Sequence, residues 1–242
     1  FFAELRAYKA DAPRESSAFL DGLNARVSFL EAMLVNSSLQ LSRDNVDYLW
    51  DALVTKSTTR EEAQTLFKWL ARACNKDAAY TPFDDKLEAH VFVDLMCRMD
   101  CTQLQHEGFS VFTHLFLVVN EKSGRIKTAK VERAGGSSET LPYAVSSELQ
   151  GVQSLWQVAL GARDASVALA ASRLLCSLHA AVTPDALKPR LGKVREDFVR
   201  SCMQQLQQAR QSNNALAVQR CLSLMETLVD HFDDQLTGPS AS

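Results

Sequence analysis

The sequence predicts an all-α fold of about ten helices in antiparallel pairs, interrupted by one irregular loop or short hairpin near 121–147. Three observations predict it. Apolar residues recur at three- and four-residue steps along most of the 242 residues, the spacing that lines one face of an α-helix. Nine glycines and six prolines leave little room for linker. The pattern x-Val-x-x-Leu-Trp occurs twice, as NVDYLW at 45–50 and GVQSLW at 151–156. Each copy opens an apolar helix that a second apolar helix follows. Repeated helix pairs build helical solenoids, in which no pair can bury its apolar stripe alone. A compact bundle without repeats would satisfy the same periodicity.

The elements follow in order. Phe19, Leu23, Val27, Leu30 and Leu34 form the first stripe. Ser42 is placed to cap a helix carrying Val46, Leu49, Trp50 and Leu53. Thr58 with Glu61 fits a capping box, hydroxyl to backbone N–H and carboxylate back to the cap. The helix beyond it presents Leu66, Phe67, Trp69 and Leu70. Thr81-Pro82 reads as a further start, with proline at the first helical position, and Leu87, Val91, Leu95 and Met96 follow. Over 121–147 the period is lost. Ser-Gly and Gly-Gly turns surround Ile126, Thr128 and Val131, which suit a two-stranded ribbon, and 135–140 is expected to be mobile. Helices resume with Val152, Leu155, Trp156 and Ala159. Asp164 is placed to cap a helix with Val167, Ala170, Ala171, Leu174, Leu175 and Leu178. Thr183-Pro184 reads as a short turn. A helix over 193–211 carries Val194, Phe198, Cys202 and Leu206. The last carries Val218, Cys221, Leu222, Met225, Leu228, Val229 and Phe232. The organisation expected is a helical half over 1–120, an insertion over 121–147, a second helical half over 148–236 and a disordered tail over 237–242. Trp50 beside Leu49 and Trp156 beside Leu155 are expected in equivalent core positions where the two helices of a pair meet. The chain opens Phe1-Phe2 without an initiator methionine and reads as a piece of a longer protein.

Composition narrows the function. A net charge of −3 lacks the basic footprint that nucleic acid demands. The apolar stretches at 108–120 and 165–182 are too short, or too interrupted by Arg173 and His179, for a membrane span and suit buried helices. The six cysteines sit mostly in apolar helical patterns, where a thiol acts as a small hydrophobe, and a reducing compartment is expected. Cys97-x3-Cys101-x4-His106 is the nearest approach to a metal pattern. Cys74 or His90 could complete it only through the fold, and ordinary packing is the expectation. A cysteine nucleophile, Cys97 or Cys101, would need His90, His106, His114, His179 or His231 brought beside it. Gly135-Gly136 lacks the Gly-Lys-Ser/Thr of a phosphate loop. No catalytic residue, cofactor or metal is therefore expected.

Two basic stretches stand out. Lys122, Arg125, Lys127, Lys130 and Arg133 outnumber Glu121 and Glu132 at the break between helices. A solvated loop is one reading; a docking element for an acidic partner is the other. Lys188, Arg190, Lys193, Arg195 and Arg200, interleaved with Glu196 and Asp197, read as a polar helix face. Glu226, Asp230, Asp233 and Asp234 make the end of the last helix acidic, against the macrodipole.

One family resemblance is carried by particular segments. ELQGVQSLWQVAL at 148–160 resembles a Glu-Leu-x-Gly-apolar-x-x-Leu/Phe-Trp segment of the large fat facets-like ubiquitin-specific proteases, in the armadillo-like region preceding the protease domain. VREDFVRSC at 194–202, RVSFLEAML, VDYLWDALV and GFSVFTHLFLVVNEKSGRI are similar to further segments of that region, in the same order, over roughly residues 19–206. The loop 134–145 has no counterpart, and the protease's cysteine and histidine boxes are absent, so no catalytic residue carries over. The resemblance implies an armadillo/HEAT-like helical repeat, an α-solenoid. It would be a non-catalytic scaffold segment of a large deubiquitinating cysteine protease, presenting surface to a ubiquitinated substrate or an adaptor, or supporting the protease domain. It implies protein partners, with neither nucleic acid nor membrane, in the cytoplasm or also the nucleus. Oligomeric state stays open. So do a helical-repeat adaptor of an unrelated family and a cysteine-dependent enzyme in its own right.

Overall fold

The computed structural model describes residues 1–11, 17–74, 82–132, 138–180 and 188–236. Among them are ten α-helices and one two-stranded antiparallel sheet. The chain divides into two compact units, residues 1–99 with 105–116 and residues 100–104 with 117–242. The turn expected at Thr183-Pro184 and the tail 237–242 lie outside the described residues.

The first unit starts with α1 (Phe2–Asp11) and α2 (Ser17–Ser37), which buries Phe19, Leu23, Val27, Leu30 and Leu34. The short α3 (Arg43–Trp50) starts at Ser42, whose hydroxyl accepts from the Asn45 N–H at 3.3 Å. It continues as a wider π-helical turn over Asp51–Thr55. In α4 (Arg60–Ala73) the capping box expected from Thr58 with Glu61 does not form: the N-cap is Thr59, whose side chain makes no cap hydrogen bond. The helix begins at Arg60, so its third residue is Glu62. The Glu62 carboxylate accepts from the Thr58 N–H at 3.0 Å and the Thr58 hydroxyl at 2.6 Å. Glu62 is also fully buried and ion-paired with Lys9 of α1, which donates to the Ala52 carbonyl as well. Burial pushes the Glu62 carboxyl up. The hydrogen bonds from Lys9 and Thr58 outweigh that and hold it below the usual carboxylate range.

Pro82 does not open the next helix. The chain bends there, and α5 (Asp85–Ala89) begins after Asp84, whose carboxylate accepts from the Leu87 N–H at 2.7 Å. A carboxylate at the cap both satisfies an orphan N–H and meets the positive end of the helix dipole, which proline cannot do. A π-helical turn over His90–Leu95 and a 3-10 turn over Met96–Arg98 carry the chain to the extended Met99. Phe92 meets Phe112 and Phe116 of α6 (His106–Lys122) edge to face, with centroids 5.3 and 6.1 Å apart.

In the second unit, the ribbon β1 (Ile126–Glu132) and β2 (Ser138–Ala144) precedes α7 (Val152–Gly161) and α8 (Ala165–Ala180). Ser138 to Thr140, expected to be mobile, are paired in β2. Asp164 caps α8, accepting from the Ser166 and Val167 N–H groups at 2.8 and 3.4 Å. Helix α9 (Lys188–Gln211) begins before residue 193, with Pro189 in a first turn whose N–H groups have no helical acceptor. In α10 (Ala215–Leu236) the buried stripe is Ala217, Cys221, Leu224 and Leu228. Leu222 and Val229, expected in that stripe, are exposed, as is Ala170 of α8. The apolar face of α10 is wider than the contact it makes with α7, α8 and α9, so its flank stays open.

Leu49 with Trp50 and Leu155 with Trp156 are buried, but the two tryptophans have different ring partners. Trp50 meets Phe67 of α4 edge to face at 5.9 Å, between the two helices of its pair. Trp156 stacks at 5.7 Å on Phe198 of α9, outside its pair. Helix α8 offers α7 the small buried residues Ala168 and Ala171, and the large ring finds its aromatic surface on α9.

Candidate interaction site at the basic hairpin

The ribbon grows out of the end of α6 through a defined stop. Gly124 takes φ 69° and donates to the Glu121 carbonyl at 2.9 Å, and Arg125 donates to the Asn120 carbonyl at 2.8 Å. These two bonds form a Schellman cap, with glycine where the left-handed conformation is required. Asn120 is fully buried. Its side-chain amide donates to the Gln150 carbonyl at 3.0 Å and accepts from the Gln150 N–H at 2.8 Å. The helix end is thereby tied to the turn before α7, where Gly151 takes φ 77°. Ile126, Tyr143 and Ala144 are buried at the base of the ribbon, and β2 lies against α8.

The structure spreads the basic residues rather than gathering them. Lys122 is exposed at the end of α6, and Arg125 is half-buried, its guanidinium 3.3 Å from the Ser123 hydroxyl. Lys127 and Lys130 are exposed on β1. Strand alternation points them to opposite faces, which the contiguous charge run could not reveal without its register. Arg133 lies outside the described residues. On α9, Arg195 is half-buried and donates to the His179 carbonyl at 3.1 Å, while Arg200 pairs with Asp197 at 2.6 Å. That stretch is therefore partly engaged in structure. Sequence reasoning missed the Asn120–Gln150 clamp and the Lys9–Glu62 pair. The only signals were an asparagine near a helix end and a lysine and a glutamate among many.

Burial disfavours the thiolate at four of the six cysteines. Burial pushes Cys74 and Cys202 up to about 12 and Cys176 to about 11, and raises Cys221 as well. A thiol held protonated is a weak nucleophile and ligand. Cys97 and Cys101 do not lie on successive turns of one helix. The extended Met99 separates their two 3-10 turns. Among the described residues no group of three or more His, Cys, Asp or Glu side chains could hold a metal ion. His179 is buried, stacked on Phe198 at 3.9 Å and bonded through Nδ1 to the Leu175 carbonyl, and burial lowers its pKa to about 4. His90 is bracketed by Asp94 at 2.8 Å on Nδ1 and Asp47 at 2.6 Å on Nε2. Its hydrogen bond, with Arg98 and Arg43 nearby, keeps the Asp94 carboxyl below its usual range. No helix among the described residues is long and apolar enough to cross a membrane.

Helix pairs of this kind match a known repeat. Residues 13–120 match the family model described as the UBP24/USP9X/USP9Y ARM repeat. Over those residues the chain is similar to an armadillo-like region of the ubiquitin-specific proteases. Ubiquitin carboxyl-terminal hydrolase 24 of Mus musculus is 22% identical over 188 residues, as is that of Homo sapiens, in each case over 77% of this chain. Ubiquitin carboxyl-terminal hydrolase 34 of Mus musculus is 26% identical over 200 residues, 80% of this chain. The chain matches only 7% of the length of the first two relatives and 5% of the third. Residues 13–120 thus match an ARM repeat region and not a catalytic domain, and the all-α helix pairs fit a solenoid-like repeat fold.

Proposed function

We propose that this chain is a non-catalytic arm of a large ubiquitin-specific protease, presenting surface to a protein partner, either a ubiquitinated substrate or an adaptor, or bracing the protease domain. The observation that carries the reading is the ARM-repeat match over residues 13–120, which falls on helices whose side chains build a core. The part of the surface proposed for recognition is the basic hairpin, because loops set on a rigid scaffold often carry recognition and rim charges tune association. The arm would work in the cytoplasm, or also in the nucleus, which fluorescence imaging of the tagged whole protein checks.

Two measurements test the reading separately. A ubiquitin-derived active-site probe is incubated with the chain, and labelling of any cysteine overturns the non-catalytic assignment. Lys122, Arg125, Lys127 and Lys130 are reversed together to glutamate, and proteins captured from cell extract are compared by mass spectrometry at low and moderate salt. An acidic partner is lost from the reversed chain, most clearly at low salt. Identical capture at both salts removes the hairpin from the proposal.

A further inference from the structure

The pairing of the ribbon fixes which of its backbone groups are used. Ile126 pairs with Ala144, Thr128 with Pro142 and Lys130 with Thr140. Just beyond the ribbon, and in the same register, the Val145 N–H donates to the Arg125 carbonyl at 2.9 Å. Antiparallel ladders alternate hydrogen-bonded and non-hydrogen-bonded pairs. Starting from Arg125 opposite Val145, the bonded pairs are Lys127 with Tyr143, Ala129 with Leu141 and Val131 with Glu139. The N–H and C=O groups of Ile126, Thr128 and Lys130 therefore point away from β2, along the outer edge of β1.

The two edges are not equivalent. On β2 the outward set is Ala144, Pro142 and Thr140. Pro142 has no N–H, so that edge is interrupted in the middle, one of the ways sheets avoid unwanted pairing. The β2 strand also lies against α8. The β1 edge keeps its full outward set, and Lys127, Thr128 and Lys130 on it are exposed. The lysines point to opposite faces of the ribbon, so a strand laid along β1 would meet a positive charge on each of its own faces.

We propose that the outer edge of β1 is a strand-addition site for an extended acidic peptide segment. Backbone hydrogen bonds to Thr128 and Lys130 supply the register, and Lys127 and Lys130 select acidic side chains flanking the added strand on both faces. An acidic helix or a folded acidic surface would satisfy the charges but not the backbone groups. The inference rests on the hairpin being the recognition element and adds the manner in which it recognises.

The test uses the whole 242-residue chain and a fluorescein-labelled octapeptide, Glu-Glu-Val-Thr-Glu-Glu-Val-Thr, which as a strand carries glutamates on both faces. Fluorescence anisotropy at low salt should show saturable binding. The same peptide N-methylated on alternate amides, which keeps its charge and removes one edge of hydrogen bonds, should bind at least about tenfold more weakly. Thr128→Pro removes an outward N–H at a non-hydrogen-bonded pair and should weaken binding about as much, with the ribbon's own ladder retained. Amide hydrogen exchange on the unmodified chain should slow at Thr128 and Lys130 on peptide addition, which reads the contact without any variant. Two results overturn strand addition: absence of saturable binding up to millimolar peptide, or binding that N-methylation and amide exchange do not register. If the second occurs while Lys127→Glu with Lys130→Glu still abolishes binding, the hairpin remains a charge-only contact and the reading under Proposed function survives. If neither charge reversal nor N-methylation changes binding, both fail.

Discussion

Asn120 holds Gln150 through both halves of its side-chain amide, donating to the carbonyl at 3.0 Å and accepting from the N–H at 2.8 Å. One fully buried side chain thus satisfies the backbone of a turn that leads into α7, and its own carbonyl accepts the Arg125 N–H that starts the ribbon. The site proposed for recognition hangs from this point.

Asn120→Ala should therefore cost about 1–3 kcal/mol, the penalty for leaving backbone donors and acceptors without partners. Urea unfolding measures the loss. Amide exchange should also quicken at Gln150 and Arg125 relative to the α2 core. An unchanged urea midpoint with unchanged exchange would mean that the turn holds itself without the clamp.

Lys9 and Glu62 make the second buried polar anchor. Removing one partner strands the other charge, so Lys9→Met or Glu62→Leu should each destabilise by about 3–5 kcal/mol. The double variant Lys9→Met with Glu62→Leu should recover at least half of the larger single loss. The pH dependence has a definite sign. The folded Glu62 carboxyl is lowered from its usual 4.5. Its stabilisation is therefore present above about 4.5 and is lost as pH falls through the folded value. A stability curve whose acid limb is the same in wild type and in the double variant would contradict this.

Much of the helical core was legible because its signal is local. The stripe Phe19–Leu23–Val27–Leu30–Leu34 repeats within one helix, and the Ser42 and Asp164 caps lie next to the helices they start. The misreadings arose where structure depends on a neighbour. Glu62 rather than Glu61 binds Thr58 because the helix begins one residue later, after an N-cap whose side chain makes no cap bond, and Lys9 from another helix draws the same carboxylate inward. Leu222 and Val229 fit the α10 period, but only contact with α7, α8 and α9 decides which part of a broad apolar face is covered. The basic run over 122–133 looked like one patch. Strand alternation splits Lys127 from Lys130, and no charge count contains that information.

His179 gives a second pH signature. Its pKa in the fold is lowered to about 4 from 6.5, burial being the main cause. The unfolded chain takes up the proton first. Stability from this group is complete above pH 6.5 and falls as pH drops toward 4, by up to about 1.4 kcal/mol per pH unit. In His179→Gln that slope should vanish between pH 6.5 and 5, whatever the change in absolute stability. Urea midpoints at four pH values in both proteins provide the comparison. Parallel curves would mean that His179 takes up its proton in the folded state.

The two x-Val-x-x-Leu-Trp motifs make the last prediction. Trp50 and Trp156 are both buried, so Trp→Ala at either should cost about 3–5 kcal/mol. Their ring partners differ, and that difference can be measured. Trp50 faces Phe67 of α4, the second helix of its own pair, whereas Trp156 stacks on Phe198 of α9. Double-mutant cycles should therefore couple Trp50 with Phe67 and Trp156 with Phe198, each by about 0.5–1.5 kcal/mol. Because Phe198 also stacks on His179, the Trp156 cycle should be repeated in His179→Gln, which separates the indole term from the imidazole term. Urea unfolding of the single and double variants supplies all the terms. Coupling of Trp156 to Ala168 or Ala171 of α8 in place of Phe198 would show that the second motif closes its own pair as the first one does. Zero coupling at both rings would reduce the repeated tryptophan to bulk alone.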